Sequence, residues 1–264
     1  MKVLLDSDIL RYEIAHAAEA GWKYKTESDE LPPWEYVQSL LHLRLDNIMS
    51  ACNGSELSMF LTEGETFRYS IAKKAPYKAN RKTEKPWHYD NLTVYFKDVL
   101  NANVVTGIEA DDAMAIEQVK SGYTCCIASR DKDLRTIPGL SYGWELGRQP
   151  SFGPELIDKA GYLKLSTDRK RLSGTGLSFF YAQVLMGDKA DNIPGLPDCG
   201  PVKAYDWLNG FVPGAQLNQV IGAYKDVYGE TWDQELLEQG RLCWLVRRMN
   251  EDGSPQIWEI GMDE

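Results

Sequence analysis

Glu109, Asp111 and Asp112 stand within four residues of one another in GIEADDAMAIE (107–117). Carboxylates crowded in this way repel, and such a group needs something positive to share. Two readings are open at this point. Acids favour the first turn of a helix, where unpaired N–H groups and the dipole stabilise negative charge by about 0.3–1 kcal/mol each. A hard divalent cation would instead turn the repulsion into coordination.

The pattern recurs along the chain. VLLDSDIL (3–10), NVVTGIEADD (103–112) and GYTCCIASRDKDL (122–134) each pass from aliphatic or β-branched residues into acids, and ELSMFLTEGE (56–65) ends in another, Glu63. LSYGWEL (140–146) reads as a fifth strand. Helices are expected over 8–19 and 111–121, with a short turn after Asp133. Strands alternating with helices predict an α/β fold around a mostly parallel central sheet flanked by helices. Ligands of such sheets bind beyond the carboxyl ends of the strands. Four strand ends would then deliver acids to one edge, and a metal accounts for that convergence where a single helix start would not.

Residues 67–97 have a different character. Arg68, Lys73, Lys74, Lys78, Arg81, Lys82 and Lys85 are interleaved with Tyr69, Tyr77, Trp87 and Tyr89. Cations among aromatics suit phosphate contacts and base stacking; a solvated basic loop is the plainer alternative. From about 175 the pattern turns helical. DKADNIPGLPDCG (188–200) links two of these helices, and Gly195 and Gly200 would let its N–H groups approach a phosphate, unless it is an ordinary Pro/Gly turn. Asp188 and Asp191, spaced i,i+3, would share one side of a helix end and could complete a second metal position.

Composition narrows the class. The 264 residues carry 29 basic and 39 acidic side chains, a net charge of −10. That excludes coating nucleic acid by a general positive field, though not a nuclease with a local cationic stripe. The five cysteines match neither zinc nor redox spacing and read as reduced, buried thiols of a cytoplasm. MKVLLDSDIL reads as a first buried strand rather than a signal peptide, and no apolar run has membrane-span length. The three histidines are scattered, which leaves a Ser/His/Asp hydrolase without support.

Taken in order, LLDSD (4–8), TEGETFR (62–68), YKANRK (77–82), IEADDAMA (108–115), ASRDKDL (128–134) and GDKADNIPGLPDCGP (187–201) resemble the 5′-nucleases. That family comprises flap endonucleases, the N-terminal nuclease domain of bacterial DNA polymerase I, and phage 5′→3′ exonucleases, the last being the most similar. The likeness covers about 3–205. It implies a PIN/5′-nuclease-like nuclease domain over 1–172, with an arch-like segment at 67–100. It further implies a helical DNA-binding region over 173–264, with a helix–three-turn–helix near 180–208. By the same resemblance Asp6, Glu109, Asp111 and Asp131 would form one Mg²⁺ or Mn²⁺ site, with Asp112 beside them. Asp133, Asp188 and Asp191 would form a second, and Lys132 lies between two ligand positions. Lys78 and Arg81 would act on the scissile phosphate. Arg68, Tyr77, Lys82, Gly195, Gly200 and Lys203 would contact DNA, with K⁺ at the 195–200 loop. Glu63 stands where most members have Asp, as a further metal ligand. Asp8 replaces a small polar residue, as an extra acid or a helix N-cap.

The implied activity is 5′→3′ exonuclease, extending to flap endonuclease and RNase H-like cleavage, on duplex DNA with a 5′ end or flap or on RNA–DNA hybrid. The expected setting is a monomer in a bacterial cytoplasm, with no membrane partner. Two other readings stay open: a structure-specific DNA-binding protein that has lost catalysis, to which Glu63 points, and a haloacid-dehalogenase-type phosphatase suggested by DSD (6–8) and GDKAD (187–191). The phosphatase reading leaves IEADD, RDKD and YKANRK without roles.

Overall fold

The computed structural model describes residues 1–27, 29–81 and 84–262. The chain divides into two compact units, each with its own hydrophobic core. Met1–Gly64, Lys82–Asp131 and Gly139–Leu156 make the first; Glu65–Arg81, Lys132–Pro138 and Ile157–Glu264 make the second. Both are assembled from separate stretches, where the sequence suggests one contiguous change near 172.

In the first unit the aliphatic run of β1 (Lys2–Asp6) is wholly buried. A strand with no exposed face needs partners on both edges and cover on both sides. β1 pairs in parallel with β2 (Glu56–Thr66) on one edge and β4 (Cys126–Ala128) on the other, and β4 pairs in parallel with β5 (Gly139–Gly143). β3 (Asn103–Gly107) and β6 (Phe152–Ile157) lie outermost, giving the order β3-β2-β1-β4-β5-β6. The order reverses at β1, and because β1, β2 and β4 are parallel their carboxyl ends share an edge.

Helix α1 (Ser7–Thr26) buries Leu10, Ile14 and Ala18, and α2 (Trp34–Ala51) buries Val37, Leu41, Leu45 and Ile48, each set on one helical face. α1 packs on α2 and on α4 (Tyr89–Asp98), while α5 (Ala110–Lys120) packs on β1, β3 and β4. The α/β architecture expected from the sequence is the one observed.

The second unit centres on α6 (Gly176–Met186), in which every residue from Gly176 to Leu185 is buried. Around it lie α7 (Pro201–Leu208), α8 (Pro213–Tyr228), α9 (Trp232–Cys243) and the antiparallel pair β7 (Leu163–Leu165) and β8 (Leu172–Gly174). Phe180 meets the rings of Trp244 and Trp258 at centroid distances of 4.9 and 5.5 Å. No helix among the described residues is long and apolar enough to cross a membrane. All five cysteines are free and buried.

One expected DNA contact is part of this core. Arg68, on the short helix α3 (Phe67–Ile71), is 1% exposed. Its Nε and Nη2 donate to the carbonyls of Leu242 and Trp244 at 3.3 and 2.7 Å. Those carbonyls end α9, where no intrahelical N–H remains to satisfy them. Arg68 is therefore a strut between α3 and α9, not a hand held out to nucleic acid. Arg68→Met keeps most of the volume and removes the donors, and the unfolding free energy in urea should fall by about 2–4 kcal/mol. An unchanged midpoint would mean that these carbonyls are satisfied in another way.

Candidate functional site

Asp6 is where β1 becomes α1. Its Oδ1 accepts the N–H of Ile9 at 3.1 Å, which makes it the N-cap of α1. Its Oδ2 accepts the hydroxyl of Ser129, just past β4, at 2.6 Å, and the same Ser129 oxygen accepts the N–H of Asp131 at 2.8 Å. Asp6 is 1% exposed, and burial, together with the charge of Asp8, pushes its carboxyl up to about 6 despite those donors. The helix cap is thus Asp6, whereas the sequence offers Asp8.

Asp8 has another role. Its two oxygens accept the backbone N–H of Thr62 at 3.1 and 3.3 Å, and Arg11 Nη2 donates to it at 2.6 Å. Burial raises its pKa first, and the charge of Glu109 adds to that. The hydroxyl of Thr62 accepts the N–H of Ala110 at 2.8 Å. One residue of β2 thereby joins the start of α1 to the start of α5.

At α5 both readings of the crowded acids bear on the same residues. Glu109 is the N-cap, its N–H donates to Asp112 Oδ2 at 2.9 Å, and its own side chain accepts from the backbone of Asp112. Asp112 is fully buried and Asp111 half-buried in the first turn. Asp131 is half-buried beside Ser129. Glu63 is drawn elsewhere: its side chain is 56% exposed and pairs with Lys97 of α4 at 2.6 Å.

The second unit gathers its own acids. Asp133 opens a 3-10 turn, Asp133–Thr136, and accepts from Gln183 Nε2 at 2.5 Å and Lys132 Nζ at 3.0 Å. Lys132 also bridges to Asp188. Asp188 and Asp191 do not lie on a helix end as expected. α6 stops at Met186, and Asp188 and Ile193 exchange backbone hydrogen bonds of 2.8 Å that close a turn carrying both acids. Asp191 accepts Arg81 Nη2 at 2.5 Å and the Tyr77 hydroxyl at 3.0 Å, and lies 3.9 Å from Lys78 Nζ. Burial works to raise its pKa, but Lys78 and Arg81 overcome it and hold the carboxyl below the usual range. Cys243 of α9 senses the three acids together: burial first, then Asp133, Asp188 and Asp191, push its thiol well up.

Two more expected DNA contacts face inward. Tyr77 is 4% exposed, packed in the core with its hydroxyl on Asp191, so its ring is no stacking platform. Gly195 has φ +65°, and a Cβ there would come within 2.2 Å of Gly187 N; its N–H donates to Gln239 Oε1 at 2.9 Å. The close backbone approach that the glycine allows is to the chain itself. Gly200, capping α7, and Lys203, its ammonium 4.8 Å from the ring centre of Trp207, are exposed. Lys82 lies outside the described residues. Ser129, Thr62 and Gln183 escape a reading of the sequence; their signal is adjacency to acids in TEGE and ASRDKD, and for Gln183 there is none.

Carboxylate oxygens at strand ends, without His or Cys, fit a hard divalent cation in kind. Among the described residues no group of three or more His, Cys, Asp or Glu side chains comes together closely enough to hold a metal ion.

A mostly parallel α/β sheet with acids at its carboxyl edge, together with a helical unit, defines the class of fold. No protein-family model matches the chain. Among solved structures, the catalytic core of Rad2 in complex with DNA substrate is similar at 14% identity, over 95% of this chain and 73% of that one, with a TM-score of 0.50. The T5 D15 protein co-crystallized with metal ions matches at 14% identity over 92% and 91%, TM-score 0.49. The T5 5′-exonuclease with zinc bound matches at 15% over 92% and 100%, TM-score 0.48. At 14% identity, what the chain shares with the Rad2 core is the fold.

The burial of Asp6 carries a pH signature. Its folded pKa of about 6 lies above the ordinary 3.8, so its contribution to stability is fully present below about pH 3.8 and is lost as pH rises through about 6. In EDTA, Asp6→Asn should exceed the wild-type unfolding free energy at pH 7.5 by about 3 kcal/mol and match it near pH 4. Urea melts at the two pH values check this; equal stability at pH 7.5 would refute the buried charge.

Proposed function

We propose that this chain is a metal-dependent nuclease that hydrolyses DNA phosphodiester bonds to 5′-phosphate products. It would act as a 5′→3′ exonuclease, with flap endonuclease activity and RNase H-like cleavage of RNA–DNA hybrid. The observation that carries this reading is the juxtaposition of Asp6, Asp8 and Glu109 at the carboxyl edge of a sheet whose order reverses at β1, with Asp6 buried between two fixed donors. The fold shared with a Rad2 core that holds DNA substrate supports it.

Mg²⁺ or Mn²⁺ would be held by Asp6, Glu109, Asp111 and Asp131 in the first unit, and by Asp133, Asp188 and Asp191 in the second. Such cations supply an acidified water and charge stabilisation for the leaving oxygen. The remaining tasks belong to the protein. Ile9 and Ser129 fix the plane of the Asp6 carboxylate. Asp112 and Glu109 cap α5, which holds Asp111 at its first turn. Lys78 and Arg81, steadied by Asp191, offer positive charge to the reacting phosphate. Gly200 and Lys203, at the start of α7, would meet the DNA backbone, with K⁺ at the 195–200 loop. The protein would work as a monomer in a bacterial cytoplasm on duplex with a 5′ end or flap. One observation favours a second reading, a DNA-binding protein without catalysis: Glu63 is engaged with Lys97.

Cleavage of two labelled duplexes, one with a recessed 5′ end and one with a 5′ flap, tests the proposal. Short products should form with Mg²⁺ and not with EDTA; retained binding without cleavage would select the second reading. Asp131→Asn should lower the cleavage rate on the order of 100-fold or more with DNA binding kept. Wild-type rates in that variant would sink the metal assignment. Lys78→Ala should lower turnover about 10- to 100-fold, with a modest fall in melting temperature because Lys78 also helps to hold the buried Asp191 ionised; a fall in stability with wild-type turnover would make Lys78 a structural cation.

A further inference from the structure

In the first unit the Ser129 hydroxyl touches two of the proposed ligand residues at once. Leu5 and Ala128 are the last register partners of β1 and β4, so Asp6 and Ser129 follow them side by side. The Ser129 backbone is held as the next rung of the sheet, its N–H donating to the carbonyl of Tyr142 at 3.0 Å. Its hydroxyl has one hydrogen and two lone pairs. The hydrogen goes to Asp6 Oδ2 at 2.6 Å, and a lone pair receives the N–H of Asp131 at 2.8 Å. Ser129 is 3% exposed, so bulk water does not compete for either bond.

We infer that Ser129 is a positioning residue that presets Asp6 and Asp131 as a pair of cation ligands. The inference rests on the nuclease reading above, in which those two carboxylates hold metal. With Oδ1 fixed by Ile9 and Oδ2 by Ser129, the Asp6 carboxylate has a set plane before any cation arrives. The same oxygen fixes the peptide of Asp131 and so the root of its side chain. A hydrogen bond to a carboxylate at this length is of the strong, charge-assisted kind. Groups that orient metal ligands in this way typically contribute 10- to 100-fold in affinity. Without the hydroxyl, Asp6 and the Asp131 turn are uncoupled while β4 and β1 remain paired through their backbones.

The test is Mn²⁺ binding to the intact protein without DNA, followed by electron paramagnetic resonance, in wild type, Ser129→Ala and Ser129→Thr. Ser129→Ala should bind Mn²⁺ about 10- to 100-fold more weakly, and Ser129→Thr, which keeps the hydroxyl, within about threefold of wild type. In cleavage assays the loss in the alanine variant should fall on the apparent metal constant, with most of kcat regained at saturating Mn²⁺. Wild-type affinity in Ser129→Ala overturns the inference, as does a loss that threonine does not restore. Should the alanine variant lack a cooperative urea transition, Ser129→Cys is titrated in its place, with the same loss expected and wild-type affinity again overturning the inference. A wild-type protein that binds no Mn²⁺ overturns the nuclease reading and this inference together, an outcome distinct from equal binding by wild type and variant.

Discussion

A carboxylate taken out of water must be given donors, and the first unit is organised around doing this for Asp6. Burial alone would cost several kcal/mol for a charged group without partners. The sheet and the helix each provide one donor, the Ser129 hydroxyl from the end of β4 and the Ile9 N–H from the first turn of α1. The Ser129 donor depends on β1 lying beside β4 in the sheet, whereas the Ile9 donor is local, three residues on in the helix that Asp6 caps. Thr62 extends the arrangement, tying Asp8 on one side and Ala110 on the other. The order of the sheet is thus also the order in which the acids meet.

The two units treat negative charge differently. In the second, Asp133 and Asp188 share Lys132, and Asp191 has Arg81, Lys78 and the Tyr77 hydroxyl. Protein cations from the same unit balance these carboxylates, and Asp191 is held ionised below the usual range. In the first, Arg11 serves Asp8 while Asp6 and Asp8 are both raised, by burial and by neighbouring acids. An external cation relieves more strain where carboxylates raise one another than where lysine and arginine already stand among them.

The basic, aromatic stretch 67–97 illustrates how composition misleads about direction. Cations beside aromatics fit nucleic acid equally well whether they face out or in, and the sequence carries no sign of which. Arg68 and Tyr77 face in, one satisfying the carbonyls at the end of α9 and the other Asp191. Lys74 is paired with Glu235 and the hydroxyl of Tyr228, and Lys85 with Asp90. A loop glycine behaves likewise: Gly195 permits a close approach, and the approach is to Gly187 of its own chain.

The sequence by itself determined the strands from β1 to β5 and the residue types at their ends, but not β6, β7 or β8. An aliphatic run bounded by acids is a local pattern, so β1, β2 and β4 and the helix after Glu109 could be read from neighbours alone. The apolar spacing of α2, carried by Val37, Leu41, Leu45 and Ile48, is equally local, yet no helix was expected there. Tertiary structure decided what each acid does, because that turns on partners distant in the chain. Thr62 reaches Asp8 across 54 residues of sequence, and Ser129 reaches Asp6 across 123. A backbone-bridged turn, not a helix end, carries Asp188 and Asp191, and Glu63 goes to Lys97. Periodicity reports on a residue and its near neighbours, whereas a buried carboxylate is defined by the donors that strand order brings to it.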